Sequence, residues 1–132
     1  MRNPVRVLVI ENQTLTRIGI RTVLGAKEDF EIVGEAETGA EGFQKFLSLK
    51  PDVTILSLRL SDSCAIDTLD DYFAEEKRAK ILVLADTAGD AEISKALKKG
   101  ALGYICKDIS PGELVKAIRT VNSGKKYIPG DI

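Results

Sequence analysis

"VTILSLRL", residues 53–60, decides the fold. Side chains of a strand point alternately to its two faces, so apolar residues at consecutive positions mean that both faces are covered. The run therefore reads as a buried, central strand that ends near Ser57, with Pro51 closing the connection ahead of it. In open α/β sheets, ligands gather beyond the carboxyl ends of the strands. Ser57 thus stands where chemistry is expected, with no evident base beside it.

Outward from that strand the same alternation continues in both directions. Upstream, "VRVLVI" (5–10) and "FEIVGEA" (30–36) read as strands, rich in β-branched residues or alternating. Between and after them, two helices are predicted. One covers about 14–24, with Leu15, Ile18, Gly19, Thr22 and Val23 on one face and Gly25 as a stop; the other covers 40–49, with Phe43, Phe46 and Leu47 inward. Downstream come a helix at about 64–77, a strand "KILVLA" (80–85), a helix over 90–100 stopped by Gly100, and a strand "GYIC" (103–106).

The last helix is the best marked. Ser110 sits at the N-cap, Pro111 at the first helical position and Glu113 where a capping box needs its carboxylate. The apolar stripe Leu114, Val115, Ile118 and Val121 follows. Five strands alternating with five helices predict an α/β fold, a five-stranded parallel sheet covered on both faces. No repeat, low-complexity tract or linker interrupts 5–128, so the 132 residues read as one domain.

Composition narrows the function. A chain that is 44% hydrophobic and 30% charged is globular, and a net charge of −1 gives no global steering towards nucleic acid or membrane. The apolar runs are strand-sized, and the N-terminus has a strand where a signal peptide would need an apolar helix, so a cytoplasmic protein is expected. Cys64 and Cys106 read as two buried, reduced thiols. With no histidine in the chain, Ser-His-Asp and Cys-His catalysis are excluded and a structural zinc site is not expected. There is no GxGxxG after the first strand and no P-loop, and Ser57 lies in "ILSLR", not in a hydrolase elbow. No enzyme is expected.

Between Lys95 and Lys126 stand eight basic residues (Lys95, Lys98, Lys99, Lys107, Lys116, Arg119, Lys125, Lys126) against Asp108 and Glu113. They read as a solvated face of the last two helices or as a docking face. No aromatic or Gly-rich interleaving makes them a surface for nucleic acid.

The ends of strands 1, 3, 4 and 5 converge on one edge of the sheet and bring together Glu11, Asn12, Ser57, Ala85, Asp86 and Lys107. Together with "VLVIENQTLTRIGI", "IVGEAETGAEG", "PDVTILSLRL" and "GALGYICKDISPGELVKAI", this order of elements resembles the receiver domain of two-component response regulators. The likeness is greatest to the LuxR/NarL-type subfamily and covers essentially the whole chain. It implies a flavodoxin-like, doubly wound (βα)5 domain with strand order 2-1-3-4-5. It also implies a core at about 5–123, and over 124–132 the start of a linker towards a helix-turn-helix DNA-binding domain of a longer transcription regulator.

The resemblance maps an active site onto this chain in which most of the chemistry has been replaced. Where the family has two acidic residues that hold Mg²⁺, here stand Glu11 and Asn12. The phosphoacceptor aspartate is Ser57, the switch hydroxyl is Ala85, and Ser61 replaces a proline; the family lysine is kept as Lys107. Tyr104 holds the position of a switch aromatic, and Asp86 offers a substitute carboxylate should its loop turn inward. Mg²⁺ favours carboxylate oxygens, so its binding is expected to be weak or absent, and an unactivated serine is a poor nucleophile. Lys107 is expected either to pair with Glu11, to fill the former metal space, or to keep a ligand role.

The expected protein is a pseudo-receiver, a signalling module that works through protein contacts without Asp phosphorylation. Its partner is its own effector domain, another protein, or a second copy docked through helices 4–5 or 1–5. Two alternatives stay open at this point: a sensor of a small anion or metabolite around Lys107, and residual phosphotransfer through Ser57 or Asp86.

Overall fold

The computed structural model describes residues 3–129. Five strands, β1 (Val5–Ile10), β2 (Phe30–Ala36), β3 (Val53–Ser57), β4 (Ile81–Ala85) and β5 (Gly103–Cys106), form one parallel sheet in the order β2-β1-β3-β4-β5. Helices α1 (Thr14–Gly25), α2 (Gly39–Leu49), α3 (Ala65–Glu75), α4 (Glu92–Lys98) and α5 (Pro111–Asn122) alternate with them. This is the flavodoxin-like architecture expected from the sequence.

Strand alternation builds two cores. Leu8, Ile10, Leu56, Ile81 and Val83 point to the side covered by α2, α3 and α4, where Phe46, Leu69, Tyr72 and Ile93 meet them. Val7, Val9, Val53, Ile55, Leu82 and Leu84 point to the other side, against Ile20 and Leu24 of α1 and the Leu114–Val121 stripe of α5. Both faces of β3 are covered, as its apolar run requires.

Three readings of the sequence need correcting. On α1, Leu15 is 83% and Ile18 41% exposed, while Ile20 and Leu24 carry the packing. The amino-terminal turn of that helix does not lean on the sheet. Helix α4 is shorter than 90–100, running from Glu92 to Lys98, and just ahead of it Asp90 accepts the backbone N–H of Glu92 at 2.9 Å. Cys64 and Cys106 are free thiols, but half-buried and not buried.

After α5 the chain turns back along the sheet edge. Tyr127 bridges to Gly103, with Tyr104 N–H donating to the Tyr127 carbonyl at 3.2 Å and Tyr127 N–H to the Leu102 carbonyl at 2.9 Å. Only glycine fits at 103, since a Cβ there would overlap the Tyr127 carbonyl. Of the predicted 124–132 linker, 124–129 thus follow the fold, and 130–132 lie outside the described residues. Among the described residues no helix is long and apolar enough to cross a membrane.

Candidate functional site

The register of the sheet aligns the carboxyl ends of its central strands. Ile10 lies beside Leu56, Ser57 beside Leu84, and Ala85 beside Cys106. The residues at or just after those ends are Glu11, Ser57, Ala85 and Lys107, and the fold gathers them as the sequence order implies.

Glu11 is at the centre, fully buried. A buried carboxylate is stable only when its lone pairs are used. One oxygen, Oε2, accepts the Ser57 hydroxyl at 2.6 Å and lies 3.2 Å from the Lys107 ammonium; the other, Oε1, accepts Gln13 N–H at 3.0 Å. Arg17 holds the same loop by donating to the Glu11 carbonyl at 2.8 Å. Ser57 is 1% exposed. Its hydroxyl is a donor committed to a carboxylate.

Lys107 closes the cluster from above. Its backbone N–H donates to the Ala85 carbonyl at 3.0 Å, and this fixes the start of the side chain. Its ammonium reaches Gln13 Oε1 at 2.7 Å and Asp86 Oδ1 at 3.0 Å as well as Glu11. Burial pulls the ammonium pKa down, but the bonds to Asp86 and Glu11 outweigh it and hold the value above that of an ordinary lysine. Asp86 itself is 68% exposed, a rim carboxylate turned towards the lysine. On the far wall, Arg59 and Asp90 pair at 2.9 Å.

What remains open between Ser57, Asp86, Asp90 and Lys107 is about 10 Å³. A single water needs about that much. Mg²⁺, the ion that the resemblance implies, prefers several carboxylate oxygens in octahedral array and keeps waters of its own. Glu11 is the one acidic residue buried here, both of its oxygens are engaged, and an ammonium stands beside them. Among the described residues no three of His, Cys, Asp or Glu come together as a metal site. The residues present do not fit the ion.

The other positions stand apart. Asn12 is exposed and bonds none of these groups among the described residues. Ala85 is fully buried and offers only a methyl group. Tyr104 is turned inward at 2% exposure, with its hydroxyl donating to the Pro129 carbonyl at 2.9 Å; burial, then Cys106, pushes its phenol upward. The exit segment is fastened a second time, because the Tyr127 hydroxyl donates to Glu113 Oε2. That carboxylate was expected to complete the capping box. Ser110 does accept the Glu113 N–H at 3.2 Å, so half of the box forms. Desolvation and the Glu113 bond push the Tyr127 phenol up to about 12.

Arg17, Arg59 and Asp90 were missed in the sequence, as were Gln13 and Asp62. Gln13 bonds both Glu11 and Lys107, yet no motif marks it. Asp62, in the loop after β3, accepts Gly39 N–H at 2.7 Å and Ala40 N–H at 3.1 Å, so it closes the start of α2 from a distance.

Comparison with known proteins places this geometry. Residues 7–119 match the profile described as "Response regulator receiver domain". The transcriptional regulatory protein LnrK of Bacillus subtilis is 29% identical over 97% of this chain and 58% of its own length. The nitrate/nitrite response regulator protein NarL of Escherichia coli is 30% identical over 96% of this chain and 59% of its own length. This chain therefore spans less than two thirds of these relatives. Among solved structures, the signal receiver domain of the response regulator NarL from Mycobacterium tuberculosis superposes with a TM-score of 0.88 at 27% identity, covering 94% of this chain and all of that one.

Proposed function

This chain belongs to the response regulator receiver domain family, and from that premise we propose that it is a pseudo-receiver that signals through protein contacts without Asp phosphorylation. The observation that carries the proposal is the 2.6 Å bond from the Ser57 hydroxyl to Glu11. At the acceptor position stands a hydroxyl donor, not a carboxylate, and its proton is already given to the group that would have to hold the metal. Lys107 supplies the positive charge that balances Glu11. The pocket is thus electrically satisfied with neither metal nor phosphoryl group.

Phosphotransfer lacks its parts on this reading. An aspartyl phosphate requires a free carboxylate nucleophile and a divalent ion to offset the developing charge. Asp86 is a carboxylate, but it is tied to Lys107 at 3.0 Å on the rim. Small-anion sensing is supported no better, because the space between Ser57, Asp86, Asp90 and Lys107 is about 10 Å³, room for one water, and the larger depression that Lys107 also borders is lined mainly by apolar side chains such as Ile20, Val23, Ile105 and Leu114. The output we propose is contact with an effector domain or a protein partner, as part of a NarL-type transcription regulator.

The test is intact-mass analysis after incubation with a small phosphodonor and Mg²⁺. No phosphoryl adduct is expected. An adduct that maps to Ser57 or Asp86 would overturn the proposal in favour of residual phosphotransfer.

A further inference from the structure

At the amino-terminal ends of β4 and β5, the pole opposite Glu11 and Lys107, a cleft of about 570 Å³ opens. The α3–β4 connection contributes Lys77, Arg78 and Lys80, and the end of α4 contributes Lys99. Phe73 and Leu102 supply apolar surface between them. Among the described residues no carboxylate lines this cleft, and Asp70 stands at its rim. In a chain with a net charge of −1 such a concentration is local. It draws on residues that the linear cluster from Lys95 to Lys126 leaves out.

The four cations are not equivalent. Lys80 donates to the Asn122 carbonyl at 2.6 Å, and Lys99 pairs with Asp70 at 3.0 Å, a rim carboxylate that is itself 73% exposed. Lys77 and Arg78 are exposed, and among the described residues neither side chain has a hydrogen-bond or ion-pair partner. Lys125 follows Gly124 at the edge of the cleft and is exposed too. Besides Asp70, Glu75 and Glu76 stand close by; they line the neighbouring depression together with Arg78 and Lys80, and Glu76 accepts the backbone N–H of Arg78 at 3.0 Å.

We infer that this cleft is a docking site for an acidic peptide segment carrying one large apolar side chain. The apolar side chain would rest on Phe73 and Leu102, and flanking carboxylates would meet Lys77, Arg78 and Lys125. Charge complementarity of this kind raises association rate and selects partners. The arrangement argues against a nucleic-acid backbone, because the cations ring a hollow and do not follow a strip along which successive phosphates would lie. The inference is independent of what happens at Ser57.

The experiment is an amide NMR titration of the 132-residue chain with a synthetic peptide of Asp and Glu around a single Leu. Saturable shifts are expected at Phe73, Lys77 to Lys80, Lys99 to Leu102 and Gly124. Replacing the peptide's Leu by Ser weakens binding, and Lys77→Glu with Arg78→Glu weakens it about tenfold or more. Lys116→Glu on α5 leaves it unchanged. Absence of saturable shifts, shifts spread evenly to Lys27 and Lys116, or equal binding of the Ser peptide would each overturn the inference. So would duplex DNA binding more tightly at the same lysines, which would mark a phosphate surface instead.

Discussion

Removing the Lys107 ammonium should expose how much of the fold rests on the pocket's internal charge balance. The pair is Lys107 Nζ and Glu11 Oε2 at 3.2 Å, with side-chain exposures of 19% and 0%. In Lys107→Met the carboxylate keeps the Ser57 hydroxyl and Gln13 N–H but has no cation. Breaking a buried pair by removing one partner costs about 3–5 kcal/mol. Water reaches the lysine end of this pair, which puts the expected loss at the lower limit, about 3 kcal/mol. In a domain of this size each kcal/mol moves the melting midpoint by about 4 °C, so a fall of about 12 °C is expected. Replacing both partners by neutral groups removes the uncompensated charge, and Glu11→Gln with Lys107→Met should lie within about 1.5 kcal/mol of the parent. Urea unfolding of the parent, both single variants and the double variant at neutral pH gives the full cycle. A loss below about 0.5 kcal/mol in Lys107→Met, or a double variant as unstable as the sum of the singles, would refute the account of the pocket.

Three further outcomes follow from the same geometry. The folded-state pKa of Lys107 lies above the ordinary 10.5, so its contribution is whole below that pH and is lost as pH rises through the raised folded value. The stability difference between the parent and Lys107→Met should therefore shrink in alkaline urea titrations, and a constant difference would contradict it. Ser57→Asp puts a second carboxylate beside Glu11, a repulsion of about 4 kcal/mol at 4 Å and an effective dielectric constant of 20, in part offset by Lys107. Its melting temperature should fall without Mg²⁺ and recover in part with it; a variant as stable as the parent without metal would count against the charge balance described. Tyr72→Phe should stabilise by about 1 kcal/mol, because the buried Tyr72 hydroxyl has no hydrogen-bond partner among the described residues. A lower urea midpoint in that variant would mean that the hydroxyl is satisfied after all.

The strands were legible because their signal is local. Continuous or alternating apolar runs such as 53–58 carry their burial in their own composition, and the sheet order followed from the resemblance. Helix α1 shows the limit of periodicity, which reveals that a helix has an apolar face but not what covers it. Leu15 and Ile18 share a face with neighbours at helical spacing, yet both stand exposed to solvent. The members of the pocket were legible from the order of strand ends, whereas their partners were not. Gln13 joins through a backbone N–H and a side-chain carbonyl that no motif encodes. Asp62 caps a helix 23 residues away, and Glu113 turns to a tyrosine that follows its own helix. The basic run divides in the same way, since Lys95, Lys99 and Arg119 find carboxylates at Glu92, Asp70 and Asp29 while Lys107 belongs to the pocket. Long-range partners of polar side chains are set by the packed fold, and sequence spacing carries little trace of them.

The central claim is that the receiver pocket is balanced without metal or phosphoryl group. Its most direct test is a two-dimensional amide NMR titration with Mg²⁺ and then beryllofluoride, which mimics a phosphoryl group on a carboxylate. The account predicts that the resonances of Glu11, Ser57, Ala85 and Lys107 stay in place through both additions. Saturable shifts at those residues that spread into α4 and β5 would contradict it and would mean that another carboxylate has taken over the acceptor's work.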